Sequence, residues 1–177
     1  MSEDVPVIRE KHDGDSPEQS ESVRLWLRLL SCTTIVEKRL RRRLAASFDT
    51  TLPRYDVLAA LSRHPEGMSM GALSQSLLVS GGNLTSVVQQ LRREALLDVV
   101  AVPDDRRLSI VMLTDMGRDH FETLCTAHRS WVEAMLAGLN DAQRTMLYDL
   151  LGTLKISIAM AERTGTETRP GKDRTQQ

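Results

Sequence analysis

The chain has 177 residues, 41% of them apolar and only 3% aromatic, so a core is affordable but must be packed by Leu, Val, Ile, Met and Ala, which suits helices. The net charge of −1 argues against a nucleic-acid partner until its distribution is read: residues 1–21 carry −5, residues 22–109 carry +5 and residues 110–177 carry −1. No apolar run approaches the roughly 20 residues of a membrane helix, the acidic N-terminus does not resemble a signal peptide, and Cys32 and Cys125 lie far apart without metal-ligand spacing. A reduced cytoplasmic setting, with no membrane and no metal, is expected.

Residues 1–16 are polar and acidic and are expected to be a disordered tail, as are residues 164–177. Ser16 before Pro17 and Glu18 marks a helix start. The spacing predicts a long helix to about Ala46, because Leu25, Leu29, Cys32, Val36, Leu40 and Leu44 recur at three- and four-residue steps. Trp26, Leu27, Leu30 and Ile35 widen that stripe beyond what one small protomer covers, which predicts a subunit interface. Thr51 is expected to cap the next helix, with Pro53 in its first turn and Val57, Leu58 and Leu61 facing inward. "HPEG" at His64–Gly67 ends it, and Ser69 caps a short helix, "MGALSQSL". Ser80 caps the helix "GGNLTSVVQQLRREA". Leu97–Val102 and Leu108–Leu113 read as strands of a hairpin with a five-residue connection. Thr114 starts a helix to about Ala137, and Asn140 caps a last one whose Leu147, Leu150, Leu151, Leu154 and Ile158 form a second apolar stripe.

The helix after Ser80 carries the most chemistry. Leu84, Val87, Val88 and Leu91 share an inward face, leaving Asn83, Thr85, Ser86, Gln89 and Gln90 outside. Short hydroxyl and amide side chains both donate and accept, as base edges require. Gly81 and Gly82 let the first turn approach a phosphate, which a helix N-terminus favours. A short helix before it and a charged hairpin after it complete the order of a winged helix-turn-helix. Arg54, Ser69, Ser80 and Arg93 are the expected neighbours at the DNA, with Arg106 and Arg107 at the hairpin tip "PDDRR" reaching flanking backbone or minor groove. An ordinary polar surface helix and a solvated turn are the competing readings of these segments taken singly.

"SGGNLTSVVQQLRREALLDVV…DDRRLSIVMLTDMG" resembles the winged-helix signature of the MarR family of bacterial regulators, and the similarity runs over about residues 22–161. The resemblance implies a mainly α, winged helix-turn-helix fold and a homodimer built from interlocking N- and C-terminal helices. It also implies binding to double-stranded DNA and release by a small ligand held between the dimerisation and DNA-binding lobes. A single domain over 17–163 is expected, with the DNA-binding lobe at about 51–114 and dimerisation helices at about 17–47 and 115–163. Two positions depart from the family pattern. Ala95 stands where the family has Gly, so the turn there is expected to be built differently. Val99 replaces an arginine of the first wing strand.

"RLWLRLL", "TLPRYDVLAAL" and "HRSWVEAML" are further similar to a branch of the family that senses aromatic acyl-CoA thioesters. The run Lys38–Arg43 holds five basic residues in six; a solvated helix face is its plain reading, and an anionic effector its sharper one. Trp26, Arg39, Arg42, Arg43, Arg54, His128 and Trp131 are the candidate effector residues, although His128 and Trp131 also suit plain packing. Cys32 raises a thiol redox switch as an alternative, but its mid-stripe position favours a buried, inert thiol. A winged-helix adaptor that does not read DNA is the other alternative. No nucleophile, acid–base pair or cofactor motif marks an enzyme. The expectation is therefore a repressor with no catalytic residues, no metal and no resident cofactor.

Overall fold

A computed structural model of the chain describes residues 20–102 and 105–166. The side chains of residue 102, of 105–108 and of 162–166 fall outside that description, as do residues 1–19, with the helix start at Ser16, and residues 167–177; the backbone of 164–166, expected to begin the disordered tail, is helical. In chain order the elements are α1 (Glu21–Phe48), α2 (Leu52–Ser62), β1 (Met68–Ser69), α3 (Met70–Leu77), α4 (Gly81–Arg93), β2 (Leu97–Val102), β3 (Asp105–Leu113), α5 (Asp115–Leu136) and α6 (Asp141–Thr166). The chain divides into two compact units, one ending at Val132 and one beginning at Glu133.

The first unit is the expected mainly α fold with a small antiparallel sheet. Its core is aliphatic: Leu44, Leu58, Leu61, Leu73, Leu84, Leu91, Leu97 and Val111 are almost wholly buried. Each such side chain contributes about 1.5–3 kcal/mol through burial. Leu84, Val88 and Leu91 come from one face of α4, so the predicted inward stripe is real, with Val87 only half-buried at its edge. The sheet order is β1-β3-β2. β2 pairs with β3 from Leu97↔Leu113 to Val102↔Asp105, with an irregularity between Ala101 and Val102. β3 begins at Asp105 rather than Leu108, so the connection is shorter than the sequence spacing predicts.

β1 has no counterpart in the sequence reading. Its two residues, opposite Val111 and Ile110, are too few to show an alternating pattern. Gly67 is the signal beside it: φ is +82°, and a Cβ there would lie 2.6 Å from both the Ile110 Cγ2 and the Val111 oxygen.

Helix ends follow local chemistry, with corrections. The Ser20, Ser69 and Thr114 hydroxyls accept the N–H groups of Val23, Ala72 and Gly117, at 3.4, 3.1 and 2.9 Å. Thr51 occupies the cap position of α2 but makes no side-chain cap bond; the residue two further on is Pro53, which has no N–H to offer. Ser80 likewise makes no cap bond to α4. Ala95 adopts φ +57°, so the turn after α4 has the left-handed geometry that glycine favours rather than a different one. The Ala95 N–H bonds Arg92 O, the Leu96 N–H bonds Leu91 O, both at 3.0 Å, and the Thr114 hydroxyl donates to Ala95 O at 2.7 Å.

Much of both apolar stripes is exposed among the described residues. Leu40 and Leu44 of α1 are buried, but Leu25 and Trp26 are each 58% exposed. Cys32 is exposed as well, which corrects its expected burial, although Ser31 beside it is buried and Leu29 and Val36 on its stripe are half-buried. In the second unit, α6 starts with a reciprocal capping box, Asn140 Oδ1 accepting from the Gln143 N–H and Gln143 Oε1 from the Asn140 N–H, both at 2.9 Å. Its Leu147, Leu150, Leu151, Ile156 and Ile158 are all exposed.

Candidate nucleic-acid interface

α4 has two faces of opposite chemistry. While Leu84, Val88 and Leu91 anchor it, Gly81, Gly82, Asn83, Thr85, Ser86, Gln89, Gln90 and Arg93 are all exposed. Asn83, Ser86 and Gln90 follow an i, i+3, i+7 row and so line one side of the helix. The Thr85 hydroxyl donates to Gly81 O at 2.8 Å, leaving its lone pairs to accept from outside. A Cβ at Gly81 or Gly82 would meet nothing within 4 Å. The fold itself therefore does not require glycine there, and the first turn stands open to a group approaching from outside. The uncapped first turn, with Ser80 exposed beside it, keeps backbone N–H groups open to an anion. Arg92 and Arg93 sit in the last turn, where the helix dipole favours cations.

The flanking candidates are arranged less uniformly. Ser69 is half-buried and its hydroxyl is engaged as the α3 cap. Arg106 and Arg107 lie on β3, and their side chains fall outside the described residues. Val99 is half-buried in β2.

Arg54, expected at both DNA and effector, is engaged within the chain. Its side chain is 15% exposed, and its two terminal nitrogens hold both carboxylate oxygens of Glu94. Its Nε donates to the Thr50 hydroxyl at 3.2 Å. The bond from Arg54 holds the Glu94 carboxyl below the usual carboxylate range, against a smaller opposing effect of burial.

The effector candidates separate into groups. His128 stacks on Tyr55 at 4.3 Å, and Tyr55 meets Phe121 at 5.8 Å. Trp131 meets Phe48 at 6.1 Å, and the Arg43 guanidinium lies 5.7 Å from the Trp131 ring centre, a cation–π geometry. Burial lowers the His128 pKa and, with the neighbouring Cys125 thiol, pushes the Tyr55 phenol up to about 12. Trp26 makes no ring contact among the described residues, while Arg39 and Arg42 are exposed on α1. Phe48, Tyr55 and Phe121 are additions to the set. Each had a local signal that the sequence reading did not use: Tyr55 and Phe121 stand three residues before the buried Leu58 and Leu124 of their helices, and Phe48 four after the buried Leu44.

A groove of about 300 Å³ also runs between α1, α2 and α4, lined by Glu37, Arg41, Asp56, Asn83 and Val87 among others. Burial, then the charge of Glu37, raises Asp56 above the usual carboxylate range, with Arg41 opposing. Among the described residues no group of His, Cys, Asp and Glu is placed to hold a metal ion, and no helix is long and apolar enough to cross a membrane.

Residues 48–108, from the end of α1 into the first part of β3, match the model of the MarR family. The chain is 35% identical over 130 residues to the transcriptional activatory protein BadR of Rhodopseudomonas palustris, covering 71% of this chain and 74% of BadR. Among solved structures, Sco3205 of Streptomyces coelicolor in complex with DNA is similar with a TM-score of 0.69 at 19% identity, over 80% of this chain and 91% of that one. CouR of Rhodococcus jostii RHA1, bound to p-coumaroyl-CoA, is similar with a TM-score of 0.66 at 18% identity, over 77% of this chain and 94% of that one. At those identities the two structures establish the shared fold. The relatives are transcription regulators, not enzymes. Sequence identity across three quarters of BadR, together with the matching winged-helix segment, shows that the chain belongs to the MarR family of transcriptional regulators.

Proposed function

We propose that the protein is a homodimeric repressor that reads a pseudo-palindromic operator through α4 and leaves it when an aromatic acyl-CoA thioester binds. The observation that carries the DNA-reading part is α4 itself: an apolar face locked in the core and an uninterrupted exposed row of amide, hydroxyl and glycine residues. Regulators of the family bind DNA as dimers and respond to small ligands. The uncovered stripes of α1 and α6 support a dimer here, and two-fold symmetry then asks for half-site centres roughly 10 base pairs apart.

The effector reading is supported by the aromatic pairs around Tyr55 and Trp131, by Arg43 over the Trp131 ring and by exposed Arg39 and Arg42. An aryl group gains from apolar contact, and the several phosphate charges of CoA suit arginines. Those charges also oppose DNA phosphates in the same positive field, which gives release a physical cause. The similar BadR is named a transcriptional activatory protein, so the shared family does not by itself set the sign of regulation.

The test is a titration of p-coumaroyl-CoA, free CoA and p-coumaric acid into the protein–DNA complex at fixed ionic strength. Release by the thioester at concentrations where the free acid does nothing is the expected result. Equal potency of the free acid, or no effect of any thioester, removes the CoA reading. DNA affinity that is indifferent to salt removes DNA reading altogether and favours an adaptor.

A further inference from the structure

Apolar burial fixes how deep a helix sits but is non-directional, so it leaves tilt and rotation loosely set. For α4 the directional contact is at its C-terminal end. Arg54 on α2 grips Glu94, the residue that ends α4, through two parallel N–H···O bonds across 40 positions of sequence. The other side of the guanidinium is tied down as well, since its Nε donates to Thr50, which is 4% exposed. A planar fork held at three points tolerates little rotation.

Glu94 is otherwise badly placed. A carboxylate at a helix C-terminus opposes the dipole, and here it follows Arg92 and Arg93 in a segment suited to phosphates. Its bond to Arg54 offsets that cost and keeps the carboxyl ionised. Glu94 also immediately precedes Ala95, where the chain turns left-handed into the wing, so one pair sits at the junction of helix and wing.

We propose that Arg54 and Glu94 are a positioning pair: their two-point contact sets the angle at which α4 presents its polar row, and Arg54 itself contacts neither phosphate nor effector. The proposal rests on α4 being the DNA-reading element. It separates Arg54 from the wing arginines by mechanism. A phosphate contact acts through charge, whereas Arg54 acts through Glu94.

The test uses the full chain and the duplex that wild-type protein selects from a random pool, with affinity measured across a range of salt. The variants are Arg54→Gln, Glu94→Gln, the double variant and the exchange Arg54→Glu/Glu94→Arg. Removing the Glu94 charge by itself makes the DNA-binding face more positive and would tighten binding. A positioning role predicts the opposite: Glu94→Gln weakens binding by about tenfold, Arg54→Gln does the same, and the double variant loses no more than either. The salt slope stays at the wild-type value, whereas loss of a phosphate contact lowers it by about 0.9. The exchange recovers part of the loss. Melting curves express each affinity per folded molecule; should Arg54→Gln unfold, Glu94→Gln carries the test, since its side chain is 48% exposed and keeps its shape. Binding by Glu94→Gln that is unchanged or tighter overturns the pair, as does an Arg54→Gln variant with a lowered slope. Wild-type protein that selects no DNA overturns the DNA-reading assignment instead.

Discussion

Ala95 gives a prediction whose sign and size come directly from backbone geometry. Its φ of +57° places a Cβ-bearing residue in the left-handed region, at a cost of about 1–2 kcal/mol. Three hydrogen bonds over-determine that conformation: Ala95 N–H to Arg92, Leu96 N–H to Leu91, and the Thr114 hydroxyl to the Ala95 carbonyl. Ala95→Gly removes the strain and keeps all three bonds. The gain is offset by the greater freedom of glycine in the unfolded chain, about 0.5–1 kcal/mol. The net expectation is stabilisation of between about 0 and 1.5 kcal/mol, which for a domain of this size is a rise in Tm of up to roughly 6 °C.

Calorimetry at one fixed protein concentration measures it, because the Tm of a dimer moves with concentration. The same variant should bind operator DNA with unchanged affinity, since α4 and the wing already meet in the geometry that glycine prefers. A Tm that falls would refute the reasoning. It would mean that the turn relaxes out of the left-handed region in solution and that Ala95 carries no strain to relieve.

Gly117→Ala should cost about 3 kcal/mol or more in thermal denaturation, because a Cβ there would overlap the carbonyl oxygen of Leu96. Burial holds the His128 pKa below its ordinary value of 6.5, so its contribution to stability is complete above about pH 6.5 and is lost as pH falls through the lower folded pKa; His128→Phe should flatten the stability profile over that window. Gln89→Ala should relax preference at particular base pairs by roughly 1–3 kcal/mol, while Arg107→Ala should weaken binding to all sequences and lower the salt slope, as binding isotherms on operator and random DNA will show. Light scattering should give twice the 19.8 kDa chain mass at low micromolar concentration, and a stable folded monomer would count against the dimer.

The elements that the sequence made legible are those whose signal is periodic. α1, α4 and α6 repeat apolar residues at helical steps, and α4 also declares its outer face, because every residue that is not anchoring the core is polar, glycine or arginine. The cap at Asn140 was legible for a related reason, being local to its helix, while its reciprocal partner Gln143, three residues on, came from the structure. β1 was not, since two residues cannot show a period, and its evidence is a contact between Gly67 and a strand more than 40 positions later. The wing arginines were legible by type, while their contacts fall outside the described residues.

The candidate site divides along the same line. A row of side chains on one helix can be read locally, but a charge is defined by what it faces. Arg54 reads in sequence as a free cation beside a helix-turn-helix, and only the fold brings Glu94 to it. Arg43 reads as one of five equivalent basic residues, and only the fold sets it over Trp131 while Arg41 pairs with Glu37 four residues earlier. All five of the basic run are exposed, but with Arg41 and Arg43 engaged, only Lys38, Arg39 and Arg42 have no such contact among the described residues, so an anion has fewer candidate partners than composition implies. Counting positive charge therefore overstates the contacts available to DNA or effector. Charge that is already committed, as at Arg54, stabilises and orients the reading helix, and it is the uncommitted charge that remains to set salt dependence.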